Sequence, residues 1–342
     1  MTTSSELERI ARLRTRFARS LECVSVGIGD DAAVLALSFI CRPRSGGAGD
    51  VASGARAGAG KMVWTVDAQV EGTHFRTDWV SWEDIGWRSY MAAASDLAAM
   101  GAEPVAALSS LVLAPSVDDE ALDALTRGQA AAADEIGAPI VGGNLARGTQ
   151  TSITTTLIGR AESPVLRSGA RAGDGLWLAG SVGLAGAGLA LVREHLEDPR
   201  MQDDDTAACL RAWRRPIARI AEGRALCGVA HAAIDISDGL ARDGWQLAEA
   251  SGVRLVLDVA AVIATGGEAL VAGSAVAGCE ALQLALHGGE DYALLAASAD
   301  DLEGFVCVGT VEAHTEGPRV LLTTARGTVP VEPRGFDHFR SR

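Results

Sequence analysis

The run Gly27-Ile-Gly-Asp-Asp-Ala-Ala-Val-Leu35 constrains this chain more than any other stretch. Two glycines lead into adjacent carboxylates, Asp30 and Asp31, and an apolar, strand-like segment follows at once. Like charges at short range beside apolar residues disfavour ionisation unless something positive answers them. Two readings meet that demand. Water solvates the pair in a loop, or the pair holds a hard cation, since magnesium prefers carboxylate oxygens. Short acidic stretches of the same kind recur along the chain, and the recurrence favours the cation.

At 342 residues the chain is long enough for two domains and a sizeable core. Its 48% hydrophobic and 22% charged residues exclude wholesale disorder. A net charge of -14 excludes a nucleic-acid partner, which needs a basic face, and suits a protein that gathers divalent cations. No apolar run reaches membrane-spanning length, so no membrane association is expected. From Ser4 to Ser20, Glu6, Glu8 and five arginines alternate with apolar residues, the pattern of an amphipathic helix and not of a signal peptide. A cytoplasmic location follows. The cysteines (Cys23, Cys41, Cys209, Cys227, Cys279, Cys307) form no C-x-x-C pair and read as reduced core residues.

Ala32 to Phe39 reads as a strand, residues 42–61 as a flexible Gly/Ala/Ser/Arg loop, and Met62 to Val66 as a second strand. The loop ends Gly58-Ala-Gly-Lys-Met62, but Ala55 and Met62 replace the glycine and hydroxyl residue of a phosphate-binding loop, so that reading is rejected. Asp67 ends a strand at the sheet rim. His74 has three readings: ligand, base, or hydrogen-bonded loop residue. Asp84 to Met100 is an alanine-rich helix stopped by Gly101, and within it Asp96 is poorly placed for a solvated face. Ser116 is read as the cap of a helix to Ile136. Pro139 to Val141 is read as a short strand leading into a Gly142-Gly-Asn144 turn, and Ser152 to Ile158 as a strand ended by Gly159.

The first domain is expected to end near Glu162. After a turn-rich linker, the strand Leu176 to Ala179 precedes Gly180, Gly183, Gly186 and Gly188. That order departs from the dinucleotide fingerprint G-x-G-x-x-G, and the glycines fit close helix packing. Asp203 to Asp205 reads as a solvated acidic loop. In Ala233-Ile-Asp-Ile-Ser-Asp-Gly-Leu240, Asp235 points opposite to its isoleucine neighbours, and Ser237 is placed to cap a helix that Gly252 stops. His287-Gly-Gly-Glu-Asp-Tyr292 follows a helix and precedes a strand.

Eight of these stretches (GIGDDAAV, TVDAQVEGTHF, ASDLAAMGAEP, VGGN with Arg147, LRSGARAGD, DISDGLARD, HGGEDYALL and GFDHF) span Gly27 to Phe339 in order. Together they resemble the thiamine-monophosphate kinase family, within the superfamily of aminoimidazole ribonucleotide synthetase. The resemblance implies an α/β (α+β) fold of two domains. Residues 1–162 would bind ATP and magnesium and form a joint β-barrel across a homodimer; residues 163–342 would form a second α/β domain. It implies transfer of the ATP γ-phosphate to thiamine monophosphate. It implies several magnesium ions on Asp30, Thr65, Asp67, Asp96, Asp235 and Asp238, with Asp31 beside them. ATP would meet Gly142, Gly143, Asn144, Arg167 and Ser237, and the thiamine substrate His74, Glu290 and Phe336. Two residues depart from the family pattern: Asn144 replaces an aspartate, and Phe336 replaces a tryptophan.

The chemistry agrees with this set. An acceptor phosphate is already anionic and needs little base, so the difficulty is bringing two polyanions together. No Cys, His or Asp is marked as a covalent nucleophile. The competing readings are another ATP-dependent synthetase of the superfamily and a non-catalytic nucleotide-binding module. Selenophosphate synthetase would need a Cys and Lys in an N-terminal glycine-rich loop, and the hydrogenase-maturation relative a cysteine tail; neither matches this chain.

Overall fold

The computed structural model describes residues 8, 24–26, 30–36, 60–195 and 203–337. The expected amphipathic N-terminal helix, nearly all of the 42–61 loop, Gly27 to Gly29, Cys23 and Cys41 lie outside the described residues. The chain begins with β1 (Val24–Val26), β2 (Ala33–Ala36) and β3 (Lys61–Val70). Next come α1 (Trp82–Ala99), β4 (Glu103–Leu113), α2 (Asp119–Ile136), β5 (Ile140–Arg147) and β6 (Ser152–Ala161). The second half runs β7 (Gly175–Ala179), α3 (Leu184–His195), α4 (Asp204–Arg214), α5 (Ile220–Ala225), β8 (Ala232–Ile236), α6 (Leu240–Ser251) and β9 (Val253–Asp258). It closes with α7 (Val259–Val276), α8 (Ala281–His287), β10 (Ala293–Ser298), β11 (Val306–Ala313), β12 (Val320–Thr324) and β13 (Gly327–Pro330).

Two sheets result, one of six strands in the order β1-β2-β3-β6-β4-β5 and one of seven in the order β13-β12-β9-β11-β7-β10-β8. Pairing is antiparallel apart from β4 with β5 and β12 with β9. Neither sheet closes on itself. The mixed α/β reading therefore holds, with open sheets in the single chain.

In β3, Val63, Thr65 and Gln69 point inward and are buried, while Trp64 and Val66 point outward and are exposed. Strand alternation thus puts Thr65, Asp67 and Gln69 on one face. Helix α1 packs on β3 and β6 and also reaches β8 of the second sheet. Its small residues make that position possible. A Cβ at Gly86 would lie 1.9 Å from the Leu125 carbonyl oxygen, and one at Gly128 of α2 would lie 1.8 Å from that of Glu83. The two helix backbones therefore touch, and α1 is almost wholly buried between layers.

Several local expectations need correction. Asp118, not Ser116, caps α2 by accepting the Ala121 N–H at 2.9 Å. Gly159 lies within β6 instead of ending it; a Cβ there would crowd Leu97, Ala102 and Glu103. Asp203 caps α4 and Asp204 and Asp205 start it, so the acidic loop is a helix start. Cys209 is buried, but Cys279 and Cys307 are exposed rather than core residues; all four described cysteines are free. Finally, α7 is long and apolar enough by length and composition to cross a membrane, against the expectation that no run is. It kinks at Gly267 (φ 58°) and packs against α3, α4 and α8.

Candidate active site

The acidic segments converge where α1 passes between the sheets. Ligand oxygens of Asp31, just before β2, Asp96 of α1 and Asp235 of β8 all lie within 4.8 Å of one another. Each carboxylate is held from outside the cluster. Ser95 Oγ donates to Asp235 Oδ2 at 2.7 Å, and Thr65 Oγ1 donates to Asp96. The Arg167 guanidinium pairs with Asp31, lies 3.8 Å from Asp30, and donates to Gln246 Oε1 at 3.0 Å. Asp67 adjoins the group from β3, and its charge reaches both Asp96 and Asp235.

Among the described residues, the Arg167 guanidinium does not balance so many carboxylates. Burial, reinforced by Asp31, raises the Asp30 pKa to about 6 against the pull of Arg167. Burial and then the Asp31 charge raise Asp235 to about 7. Burial, with Asp235 and Asp31 beside it, pushes Asp96 well above the ordinary carboxylate range, and burial raises Asp31 despite Arg167. Asp31 Oδ2 is moreover buried with no hydrogen-bond partner. A buried acceptor left unpaired is costly. An all-oxygen donor set, an excess of negative charge and an orphaned carboxylate oxygen fit a hard divalent cation such as magnesium.

The remaining sequence candidates fall into three places. Asp238, in the turn after β8, lies 3.4 Å from Arg242 Nε, and its backbone oxygen accepts the Phe336 N–H at 3.2 Å. Phe336 in turn faces His74, with ring centroids 6.4 Å apart, while His74 Nδ1 accepts the Val70 N–H at 3.0 Å. Gly143 and Asn144 line a groove of about 660 Å³ on the outer face of the first sheet, shared with Trp64, Val66 and Leu108. Gly142 sits in the same exposed strand. The expected glycine turn is part of β5: a Cβ at Gly143 would meet the Ser109 carbonyl oxygen at 1.7 Å, so glycine here permits close strand approach.

Glu290 is tied down by structure. One carboxylate oxygen accepts from Arg88 Nη2 and the other from Trp213 Nε1, each at 2.7 Å. Its backbone, like that of Tyr292, has positive φ (60° and 48°). Such values in non-glycine residues store strain and cluster at functional sites.

Four contributors escaped sequence reasoning. Ser95 was passed over beside Asp96. Ser237 does not cap α6: Gly239 stands at its N-terminus with no side-chain cap, and Asp243 Oδ2 accepts the N–H groups of Ser237, Asp238 and Gly239. Gln246 bridges it to Arg167. Asp291 accepts from Gly183 N at 2.7 Å and Ala185 N at 3.0 Å, so it closes the glycine-rich start of α3 that resembled a dinucleotide site. Asp291 had a signal, its place within the HGGED stretch. The others are ordinary polar residues until the chain is folded.

Residues 29–161 match the family described as AIR synthase related protein, N-terminal domain, and residues 171–317 match its C-terminal domain counterpart. The fold and the interdomain acidic cluster thus define an AIR synthase related protein. The chain is 37% identical over 281 residues to the thiamine-monophosphate kinase of Mycobacterium tuberculosis, covering 81% of each. It is 32% identical over 350 residues to that of Salmonella typhimurium, covering 98% of each. A solved structure described as AaThiL complexed with AMPPCP and TMP superposes with a TM-score of 0.81 at 28% identity, covering 98% of this chain and 97% of that one. The chain belongs to the thiamine-monophosphate kinase family.

Proposed function

We propose that this chain transfers the γ-phosphate of ATP to thiamine monophosphate, giving thiamine diphosphate, by direct in-line transfer. Family membership sets the substrates, and the observation that carries the chemistry is the buried convergence of Asp31, Asp96 and Asp235 with, among the described residues, the Arg167 guanidinium as counter-charge. Magnesium, held by Asp30, Asp31, Thr65, Asp67, Asp96, Asp235 and Asp238, would neutralise the phosphates and align attacking and leaving oxygens. Ser95 and Thr65 fix the carboxylates that receive it. Arg167 balances charge at Asp30 and Asp31 and would meet ATP phosphate. Gly142, Gly143 and Asn144 offer exposed backbone to the nucleotide, and His74 and Phe336 flank the thiamine. The acceptor oxygen needs no base. Incubation with ATP, magnesium and thiamine monophosphate should yield thiamine diphosphate by chromatography. Trapping experiments should find no phosphorylated protein; a phosphoprotein that hands its label to the acceptor would overturn direct transfer.

We further propose a division near residue 162, a cytoplasmic setting where ATP is supplied, and a homodimer whose first sheets form a joint β-barrel. The division is supported by two sheets that share no strand. The dimer is supported by Trp64, Val66 and Leu108, which are 46%, 64% and 44% exposed along one groove of the first sheet. Sedimentation should give a dimer for the wild type and a monomer for Leu108→Lys. A wild-type monomer with full activity would exclude the assembly.

A further inference from the structure

The acid pair before β2 and the Ser237-Asp238-Gly239 turn belong to different sheets, yet one unbroken line of polar contacts joins them. Arg167 pairs with Asp30 and Asp31. Its Nη1 donates to Gln246 Oε1 at 3.0 Å, and Gln246 Nε2 donates to Asp243 Oδ1 at 3.1 Å. Asp243 Oδ2 then accepts three backbone N–H groups, those of Ser237 at 3.0 Å, Asp238 at 2.9 Å and Gly239 at 3.1 Å. Arg242, the preceding residue, lies beside the Asp238 carboxylate at 3.4 Å.

Asp243 is 2% exposed, and an isolated carboxylate so buried is unfavourable unless its acceptors are filled. An ordinary helix cap binds the N–H groups of its own first turn. Asp243 instead reaches back out of α6 to the turn ahead of it. The amide of Gln246 is polarised in one sense only, its oxygen toward the cation and its nitrogen toward the carboxylate. A charged residue at 246 would oppose one neighbour, and an apolar one would remove the contact that joins them.

We propose that Gln246 and Asp243 are positioning residues that couple the Asp30–Asp31 pair, through Arg167, to the backbone carrying Asp238, and so set the affinity of the acidic site for its cation. The proposal rests on the magnesium-dependent reading above. Both act through the groups they hold. Partners of this kind orient ligand-bearing groups, and their loss typically costs about 10–100-fold in metal affinity.

The test is calorimetric titration of magnesium alone into wild type, Gln246→Met, Asp243→Asn and the double variant, without nucleotide. Gln246→Met keeps side-chain length and removes both contacts. Its magnesium dissociation constant should rise about ten-fold. The double variant should bind no more weakly than Asp243→Asn, because one break already opens the line. If Asp243→Asn does not fold, Gln246→Met decides alone. Superimposable isotherms for wild type and Gln246→Met would overturn the proposal, as would fold-losses that multiply in the double variant or a wild type that takes up no magnesium. A wild type that binds magnesium but forms no thiamine diphosphate would sink the kinase reading, while the isotherms still judge the coupling.

Discussion

Asp235→Asn is expected to lose turnover by at least about a hundred-fold and yet, without magnesium at pH 8, to unfold at a higher temperature than the wild type. The two effects share a cause. Asparagine keeps the shape and an oxygen to accept from Ser95, but it removes a buried negative charge crowded by Asp31 and Asp96. Asp235 titrates at about 7 in the folded protein, above its ordinary value of 3.8. A raised folded-state value means that folding is favoured by proton uptake. The contribution is fully present below about pH 4 and is lost as pH rises through 7. The ionised group therefore costs on the order of 2–4 kcal/mol at pH 8. Asp96→Asn should behave alike, since burial and the same neighbours push its carboxyl in the same direction.

The check is a set of thermal unfolding curves in chelator at pH 5, 6, 7 and 8, beside product chromatography at saturating magnesium. The wild type should lose stability from pH 5 to 8, and both variants should show a flatter profile. A variant with wild-type turnover would leave the metal-binding set. A variant less stable than wild type at pH 8 would mean that its carboxylate is favourably paired without a cation.

The other large effect concerns Glu290. The Arg88 side chain is 2% exposed and its nearest carboxylate is Glu290, 2.7 Å away. Arg88 also donates to the Trp213 carbonyl and lies 4.9 Å over the Trp213 ring, whose indole N–H is itself bound by Glu290. Glu290→Gln keeps an oxygen for the indole but strands the buried guanidinium. Breaking one side of a buried ion pair costs about 3–5 kcal/mol. At about 2–4 °C per kcal/mol for a chain of this size or somewhat smaller, the melting temperature should fall by roughly 6 °C or more. Arg88→Met on top of Glu290→Gln should recover most of that loss, since no unpaired charge then remains. A substrate-binding glutamate with no structural duty would predict the opposite pattern: an unchanged melting temperature and a raised KM for thiamine monophosphate.

The acidic stretches were legible before folding because their neighbours are apolar or glycine, surroundings in which a carboxylate cannot simply be solvated. The sequence likewise marked β3, most of β6, and α1 with its stop at Gly101, which has φ +65° and no room for a Cβ beside Cys227. Periodicity and glycine are local signals, and these elements follow local rules. What failed depended on residues far apart in the chain. Gly142 and Gly143 read as a turn, but both lie in β5, where the Ser109 carbonyl packs against Gly143. Ser237 had the chemistry of a cap, but α6 starts only after Gly239, and Asp243 holds the turn that carries Ser237. Ser95 and Asp235 are 140 positions apart, as are no residues in any local motif. Local sequence determined which carboxylates would be difficult to bury. Only the packing of α1 between two sheets decided that they would be buried together, because mutual distance, and with it electrostatic repulsion, exists only once the layers meet.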